Sequence, residues 1–297
     1  MIDLETIPST PVIGIIGPTA IGKSDLAIRI ARSRGADVAS ADAIQVYRRL
    51  DIGSAKVSRE VLAEIPHHFV DIRNPDDPFS VGDFLSGVEP LISRAHHGGP
   101  PLVICGGTGM YIHSLLHRYR LPQVAVDPSV RSQLAVELVQ LGSVALWERL
   151  RAVDPEIASE IHPNHSSRIV RALELVVATG RPVHELRTSA PIQRTDCVMI
   201  GLHAKREYLW RRISQRVDMM VATGLIEEVR QLLTDGYSSE LASLQSLGYK
   251  ETVAYLNGKL GSLDALKTEI YYHTRQFAKR QMTWFKRIQN VQWIEVG

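Results

Sequence analysis

Residues 12–31 run as a short apolar segment, Val12-Ile13-Gly14-Ile15-Ile16, then Gly17-Pro18-Thr19-Ala20-Ile21-Gly22-Lys23-Ser24, then an amphipathic stretch over 25–31. Together they predict a buried strand, a glycine-bounded loop and a helix, and the loop fits the phosphate-cradling pattern G-x-x-x-x-G-K-[ST]. Gly17 and Gly22 let the backbone wrap an anion, the first amides of the helix point at it, and the helix dipole favours negative charge there. Lys23 adds a point charge to the terminal phosphate, and the Ser24 hydroxyl reaches a magnesium ion. The loop leaves open which phosphorylated molecule it holds, a nucleotide or any other diphosphate.

A chain of 297 residues with 44% apolar content can bury a large core, as one large domain or two smaller ones. Its formal net charge of +2 excludes a globally basic nucleic-acid binder, so any such footprint must be local. The apolar run at Val12 is too short for a signal or membrane segment, which places the protein in the cytosol by default. Cys105 and Cys197 lie in apolar strand-like runs without C-x-x-C spacing and read as reduced core residues. The adjacent histidines at 67–68 and 96–97 do not share a helix face, and His162 and His165 flank a Pro-Asn turn, so no structural zinc site is evident.

Residues 37–42 read as a second strand ending at Asp42. Functional residues of an open α/β sheet gather at the carboxyl ends of its strands, which makes Asp42 a candidate neighbour of the phosphate loop. Residues 43–49 have helical spacing. Residues 66–72 predict a third strand, 80–97 a helix, and 101–105 a strand covered on both faces. That strand runs into Gly106-Gly107-Thr108-Gly109-Met110-Tyr111, a second glycine-rich junction, and two such junctions at one sheet edge imply a site between them. From Asp127-Pro128 to Gly180-Arg181-Pro182 the pattern is helix after helix, read as an insertion; the same helices could instead cover the sheet. A strand returns at 195–202, followed by an arginine-dense helix over 206–217, the longest helix of the chain over 262–288 and a last strand at 291–295. Between Tyr271 and Asn290 stand Arg275, Lys279, Arg280, Lys286 and Arg287, no acidic residue, and the aromatics Tyr272, Phe277, Trp284 and Phe285. This suits a nucleic-acid face, and equally a solvated basic face above an aromatic seam.

Taken together these stretches resemble the tRNA dimethylallyltransferase family, also called tRNA isopentenyltransferases. Besides the two glycine junctions, the matching motifs are Ser40-Ala41-Asp42-Ala43-Ile44-Gln45-Val46-Tyr47, Asp51-Ile52-Gly53-Ser54-Ala55-Lys56, Arg168-Ile169-Val170-Arg171-Ala172-Leu173-Glu174, Gly248-Tyr249-Lys250-Glu251 and the run from Thr274 to Trp284. The likeness spans almost the whole chain, in order. It goes with an α/β fold: a P-loop NTPase-like core with a mostly parallel sheet covered by helices, over 1–122 and 192–297, plus an all-helical insertion domain over 123–191 that contacts tRNA.

The resemblance implies transfer of a dimethylallyl group from dimethylallyl diphosphate to the exocyclic N6 amine of the adenosine 3′-adjacent to the anticodon, with Mg2+ as cofactor. The phosphate loop, residues Gly17 to Ser24, then holds the donor's diphosphate rather than ATP. Asp42 falls on the family's catalytic aspartate, a general base for an amine whose lone pair is delocalised. Lys23, Thr108 and Arg216 complete the catalytic set. By the same likeness Asp42, Ala43, Ile44 and Gln45 read the flipped adenosine, and Thr108 belongs with the tRNA-binding residues. Arg131, Ser167, Arg168, Ile169, Val170 and Arg171 grip the RNA, with Gln245, Ser246, Leu247, Gly248, Tyr249 and Lys250, and with Lys279, Arg280, Gln281, Met282, Thr283, Trp284, Phe285 and Lys286. A monomer is the expected state.

Four positions depart from the family pattern: Ala43 in place of a serine, His165 in place of an aspartate, Gln245-Ser246 at a segment that touches RNA, and Lys286 where arginine is frequent. Competing readings are a P-loop kinase for a nucleotide or small molecule, prenyl transfer to free AMP or ADP, and a nucleotide-gated RNA-binding switch.

Overall fold

A computed structural model describes residues 2–117, 127–186 and 194–297. The chain divides into two compact units, Met1–His117 with Gln193–Gly297, and Arg118–Ile192. The boundaries expected at 122–123 and 191–192 lie outside the described residues.

The first unit opens with β1 (Val12–Ile16), α1 (Lys23–Arg34) and β2 (Asp37–Ser40), then α2 (Arg59–Glu64) and β3 (His67–His68). α3 (Val81–His96), β4 (Leu102–Cys105) and α4 (Gly109–Leu116) follow. After the second unit, with α5 (Pro128–Val153), α6 (Pro155–Glu160), α7 (Ser166–Thr179) and α8 (Val183–Leu186), the chain returns through β5 (Val198–His203), α9 (Arg206–Ala222), α10 (Leu225–Thr234), α11 (Tyr249–Leu256), α12 (Leu263–Phe285) and β6 (Val291–Glu295).

The six strands form one sheet in the order β3-β2-β4-β1-β5-β6, every pair parallel. β1, β2 and β4 are buried at every position, so both faces of the sheet are covered and their apolar runs do not alternate. Ile15 and Ser40 both pair with Cys105, and Ile16 pairs with Gly201. β1, β2 and β4 therefore end within one residue of each other, and the segments that leave them meet at one edge. The approach is close: a Cβ on Gly106 would stand 2.1 Å from the Ala41 carbonyl oxygen, which only glycine allows without moving β2 from β4.

Residues 43–49 are a chain of turns rather than a helix. The Asp42 carboxylate accepts from the Ile44 and Gln45 amides, an Asx turn that competes with helix formation. Beyond it, Ile72 donates to the Val46 carbonyl and Arg48 to that of Arg73. The third strand shrinks to two residues because the chain turns at Phe69 and Asp71, both at positive φ, where the Asp71 carboxylate takes the Lys56 ammonium. α5 spans 26 residues but is broken at Gly142, which leaves α12, at 23, the longest continuous helix among the described residues.

The second unit packs Leu134, Leu146, Leu150, Ile157, Ile169 and Leu173 into its own core. Asp154, fully buried, caps α6 through the Ile157 amide and accepts from His184. At the start of α7, His165 is the N-cap and makes no side-chain capping bond. His165→Asp supplies the missing acceptor and is expected to stabilise this unit by about 1 kcal/mol, read as a rise in its unfolding midpoint. Among the described residues no helix is long and apolar enough to cross a membrane.

Candidate active site at the carboxyl edge of the sheet

The loop between β1 and α1 carries Gly17 and Gly22 at φ 148° and 104°, both in the region open to glycine. α1 begins at Lys23, so the amides of its first turn sit at the loop. Lys23 Nζ donates to the Pro18 carbonyl at 2.9 Å, and Arg212 Nε to the Ala20 carbonyl at 3.2 Å. Burial pulls the Lys23 ammonium down to about 8; Arg216 acts in the same direction, and Cys105 and Asp42 oppose it. Burial also lowers Arg216, against the attraction of Asp42, though a guanidinium keeps its charge at any ordinary pH. Lys23, Asp42 and Arg216 thus lie within electrostatic reach of one another, as the strand ends require. The Cys105 thiol, buried beside them, is pushed up to about 12 and stays neutral.

Asp42 lies two residues past the end of β2. Its Oδ1 is held by the Ile44 amide at 2.9 Å and the Gln45 amide at 3.4 Å, while no protein donor engages Oδ2 among the described residues. Thr108, the N-cap of α4, accepts from the Ala43 amide at 2.9 Å through Oγ1 and donates its own amide to the Ala41 carbonyl. Its hydroxyl proton is left to give away. The Gln45 side chain is fully employed within the protein: Oε1 accepts from Ser40, and Nε2 donates to the carbonyls of Ser54 and Ala55.

A cavity of 930 Å³ opens beside Lys23, Ser24 and Gly22. Its other walls are the 48–59 segment and the face of α9 bearing Arg212, Arg216 and Met220. Asp42 and Thr108 are not among its lining residues; Asp42 reaches Lys23 and Arg216 electrostatically from beyond the end of β2.

Two anchors of this site were not among the expected catalytic or diphosphate-binding residues. Gln281 of α12, only 3% exposed, accepts from the Thr19 amide at 2.8 Å and donates to the Gly107 carbonyl at 2.9 Å. One buried amide thus joins both glycine junctions. Glu228 of α10 accepts from the backbone amides of Asp51, Ile52 and Gly53 and from the Tyr249 hydroxyl. It holds the 51–53 turn against the cavity. Glu228→Ala strands three amides and a buried phenol, and a loss of about 3 kcal/mol is expected, read as a lower unfolding midpoint.

The residues expected to grip RNA divide by exposure. Ser167, Arg168, Gln245, Lys279, Arg280, Thr283 and Lys286 are exposed. Arg131 and Arg171 are exposed too, and both clamp the buried carboxylate of Glu174, at 2.7 and 2.9 Å. Ile44, Val170, Ser246, Leu247, Lys250, Met282 and Trp284 are half-buried. Ile169, Tyr249, Gln281 and Phe285 are buried, as is Gly248, so their side chains present no surface to RNA: Ile169 belongs to the core of the helical unit, Tyr249 and Phe285 to that of the sheet unit. Basic and apolar positions alternate around a helix, and a motif run names both faces alike.

The model of the family described as IPP transferase matches residues 45–288, and that described as isopentenyl transferase matches residues 10–77. A tRNA dimethylallyltransferase from Geobacter sulfurreducens is 42% identical over 288 residues, covering 96% of this chain and 92% of the relative. The crystal structure of a tRNA isopentenylpyrophosphate transferase from Bacillus halodurans aligns with a TM-score of 0.68 at 38% identity, covering 96% of this chain and 89% of that one. That of a eukaryotic dimethylallyltransferase acting on tRNA aligns at 0.79 with 27% identity, covering 97% and 74%.

Proposed function

The chain belongs to the tRNA dimethylallyltransferase, or IPP transferase, family of enzymes, and from that premise we propose that it transfers a dimethylallyl group from its diphosphate to N6 of the adenosine on the 3′ side of the anticodon. The supporting observation is the division of the site at Lys23 and Arg216. The cavity and its cations lie on one side, and Asp42 with a free carboxylate oxygen reaches the pair from outside that cavity. A displacement needs this order, because the amine must approach the allylic carbon opposite the leaving diphosphate.

In this reading the N6–carbon bond forms as the carbon–oxygen bond breaks, and the diphosphate leaves with the electron pair. Asp42 Oδ2 takes the amine proton. Lys23, Arg216, the Thr108 hydroxyl and the amides opening α1 meet the growing charge on the diphosphate. The Ser24 hydroxyl lines the cavity beside Lys23, and magnesium held through substrate phosphates needs no more than one or two protein ligands, so the residues present fit that ion. When bound it neutralises diphosphate charge. The exposed basic residues of the helical unit and of α12 hold the tRNA. The enzyme acts in the cytosol as a monomer.

The purified protein, given dimethylallyl diphosphate, magnesium and unmodified tRNA, is expected to convert one adenosine to its N6-prenyl form, detected by mass analysis of the nucleosides. No product with several tRNAs, or prenylation of AMP in preference to tRNA, overturns the proposal; phosphoryl transfer from ATP without prenyl transfer supports the kinase reading instead. The pH profile supplies a second check. The diphosphate binds the protonated form of Lys23, which the free enzyme loses as pH rises through about 8. The kcat/KM for the donor is therefore expected to fall above that pH, and a flat profile there argues against Lys23 as the diphosphate's partner.

A further inference from the structure

A second cavity, of 700 Å³, lies where α9 and α12 meet the ends of β5 and β6. Leu209, Trp210, Ala278, Met282 and Trp293 give it an apolar, partly aromatic lining, and Arg206, Lys279 and Lys286 stand among them. No carboxylate lines it, and none of these three exposed cations has an ion-pair partner among the described residues. Unpaired cations around an aromatic hollow suit a nucleotide, with the base in the hollow and phosphates at the rim.

The spacing favours a polymer over a small anion. Lys279 and Lys286 are seven residues apart on one helix, roughly 10 Å along its axis, and Arg206 rises from a different helix, α9. One phosphate cannot meet all three; successive phosphates of a strand can. The place is also right. Leu202, next to the lining residue His203, lies so near Gly17 that a Cβ there would meet the Leu202 carbonyl at 2.6 Å. Trp284 packs on Gly109, at the start of α4, and so marks the flank of α12 that leads to Thr108 and Asp42. RNA lying over the end of α12 can deliver one base to Asp42 and another to this cavity.

We infer that the cavity lined by Trp210, Met282 and Trp293 and rimmed by Arg206, Lys279 and Lys286 holds an unstacked nucleotide of the tRNA loop other than the adenosine that reacts. This rests on the proposed action on tRNA and adds a second base-binding site to it.

The test is direct binding of a fluorescent anticodon stem-loop RNA over a range of salt, with Arg206→Ala, Met282→Glu and, as a matched cation on α9 outside the cavity, Arg211→Ala. Thermal melts check that each variant is folded. Arg206→Ala is expected to weaken binding several-fold and to lower the slope of log K against log salt by about 0.7, the share of one phosphate contact on a single strand. Met282→Glu, which places a carboxylate in the hollow, is expected to weaken it tenfold or more. Arg211→Ala is expected to match the wild type. Wild-type affinity and slope in both cavity variants overturn the inference, as does an equal loss in Arg211→Ala, which signals only general charge. Lost affinity for free AMP with RNA binding intact overturns it in favour of a mononucleotide. If the wild type prenylates tRNA while the cavity variants bind as it does, this inference alone fails; if the wild type prenylates no RNA, the proposed function fails first.

Discussion

Asp42→Asn is expected to slow dimethylallyl transfer by about a hundredfold or more under single-turnover conditions, with RNA affinity close to that of the wild type. The substitution separates two duties of one side chain. Oδ1 shapes the turn by accepting from the Ile44 and Gln45 amides, and an asparagine oxygen accepts those bonds equally. Oδ2 has no protein donor among the described residues, and it is this atom that becomes an amide nitrogen unable to take a proton. The turn, the Thr108 contact to the Ala43 amide and the approach of RNA should survive. An unchanged single-turnover rate rejects Asp42 as the base.

Gln281→Glu is expected to be the most damaging change on α12 although it alters one atom. A carboxylate still accepts from the Thr19 amide, but it cannot donate to the Gly107 carbonyl, 2.9 Å from the present amide nitrogen. It also buries a negative charge where the diphosphate has to bind. A buried carbonyl facing a carboxylate loses its partner and meets repulsion, a cost of about 3 kcal/mol. That corresponds to a fall of roughly 6–12 °C in the unfolding midpoint for a unit of this size. The KM for the prenyl diphosphate should rise together with that fall. A variant with wild-type melting and wild-type KM shows that the bridge between the glycine junctions does not matter.

Much of the architecture was legible along the chain because it rests on local chemistry. β1 runs from Val12 to Ile16 as its apolar run required, β6 from Val291 to Glu295 as expected, and Ser80 caps α3 in a reciprocal box with Asp83. The two glycine junctions do fall at one sheet edge. Where the reading failed, the cause was a side chain acting outside its own segment. The 43–49 run has helical spacing, yet Asp42 claims its first amides and the 71–73 backbone donates to the carbonyls of Gln45 and Val46. The third strand stops short at the turns through Phe69 and Asp71, whose carboxylate meets Lys56.

The amino-acid sequence by itself determined the parallel sheet, the loop poised for an anion, the carboxylate beyond β2 and the basic character of α12, since each follows from periodicity, turn chemistry or charge within a few residues. It did not determine which residues of the basic run face outward. Gln281, named among residues expected to meet RNA, became the buried link between two loops 262 and 174 residues away. Glu228, unmarked by any motif, became the clasp of the 51–53 turn. The physical reason is burial. A lone glutamine or glutamate on a helix has no defined partner until packing excludes water, and the unmet backbone groups brought to it by the fold then decide what it does.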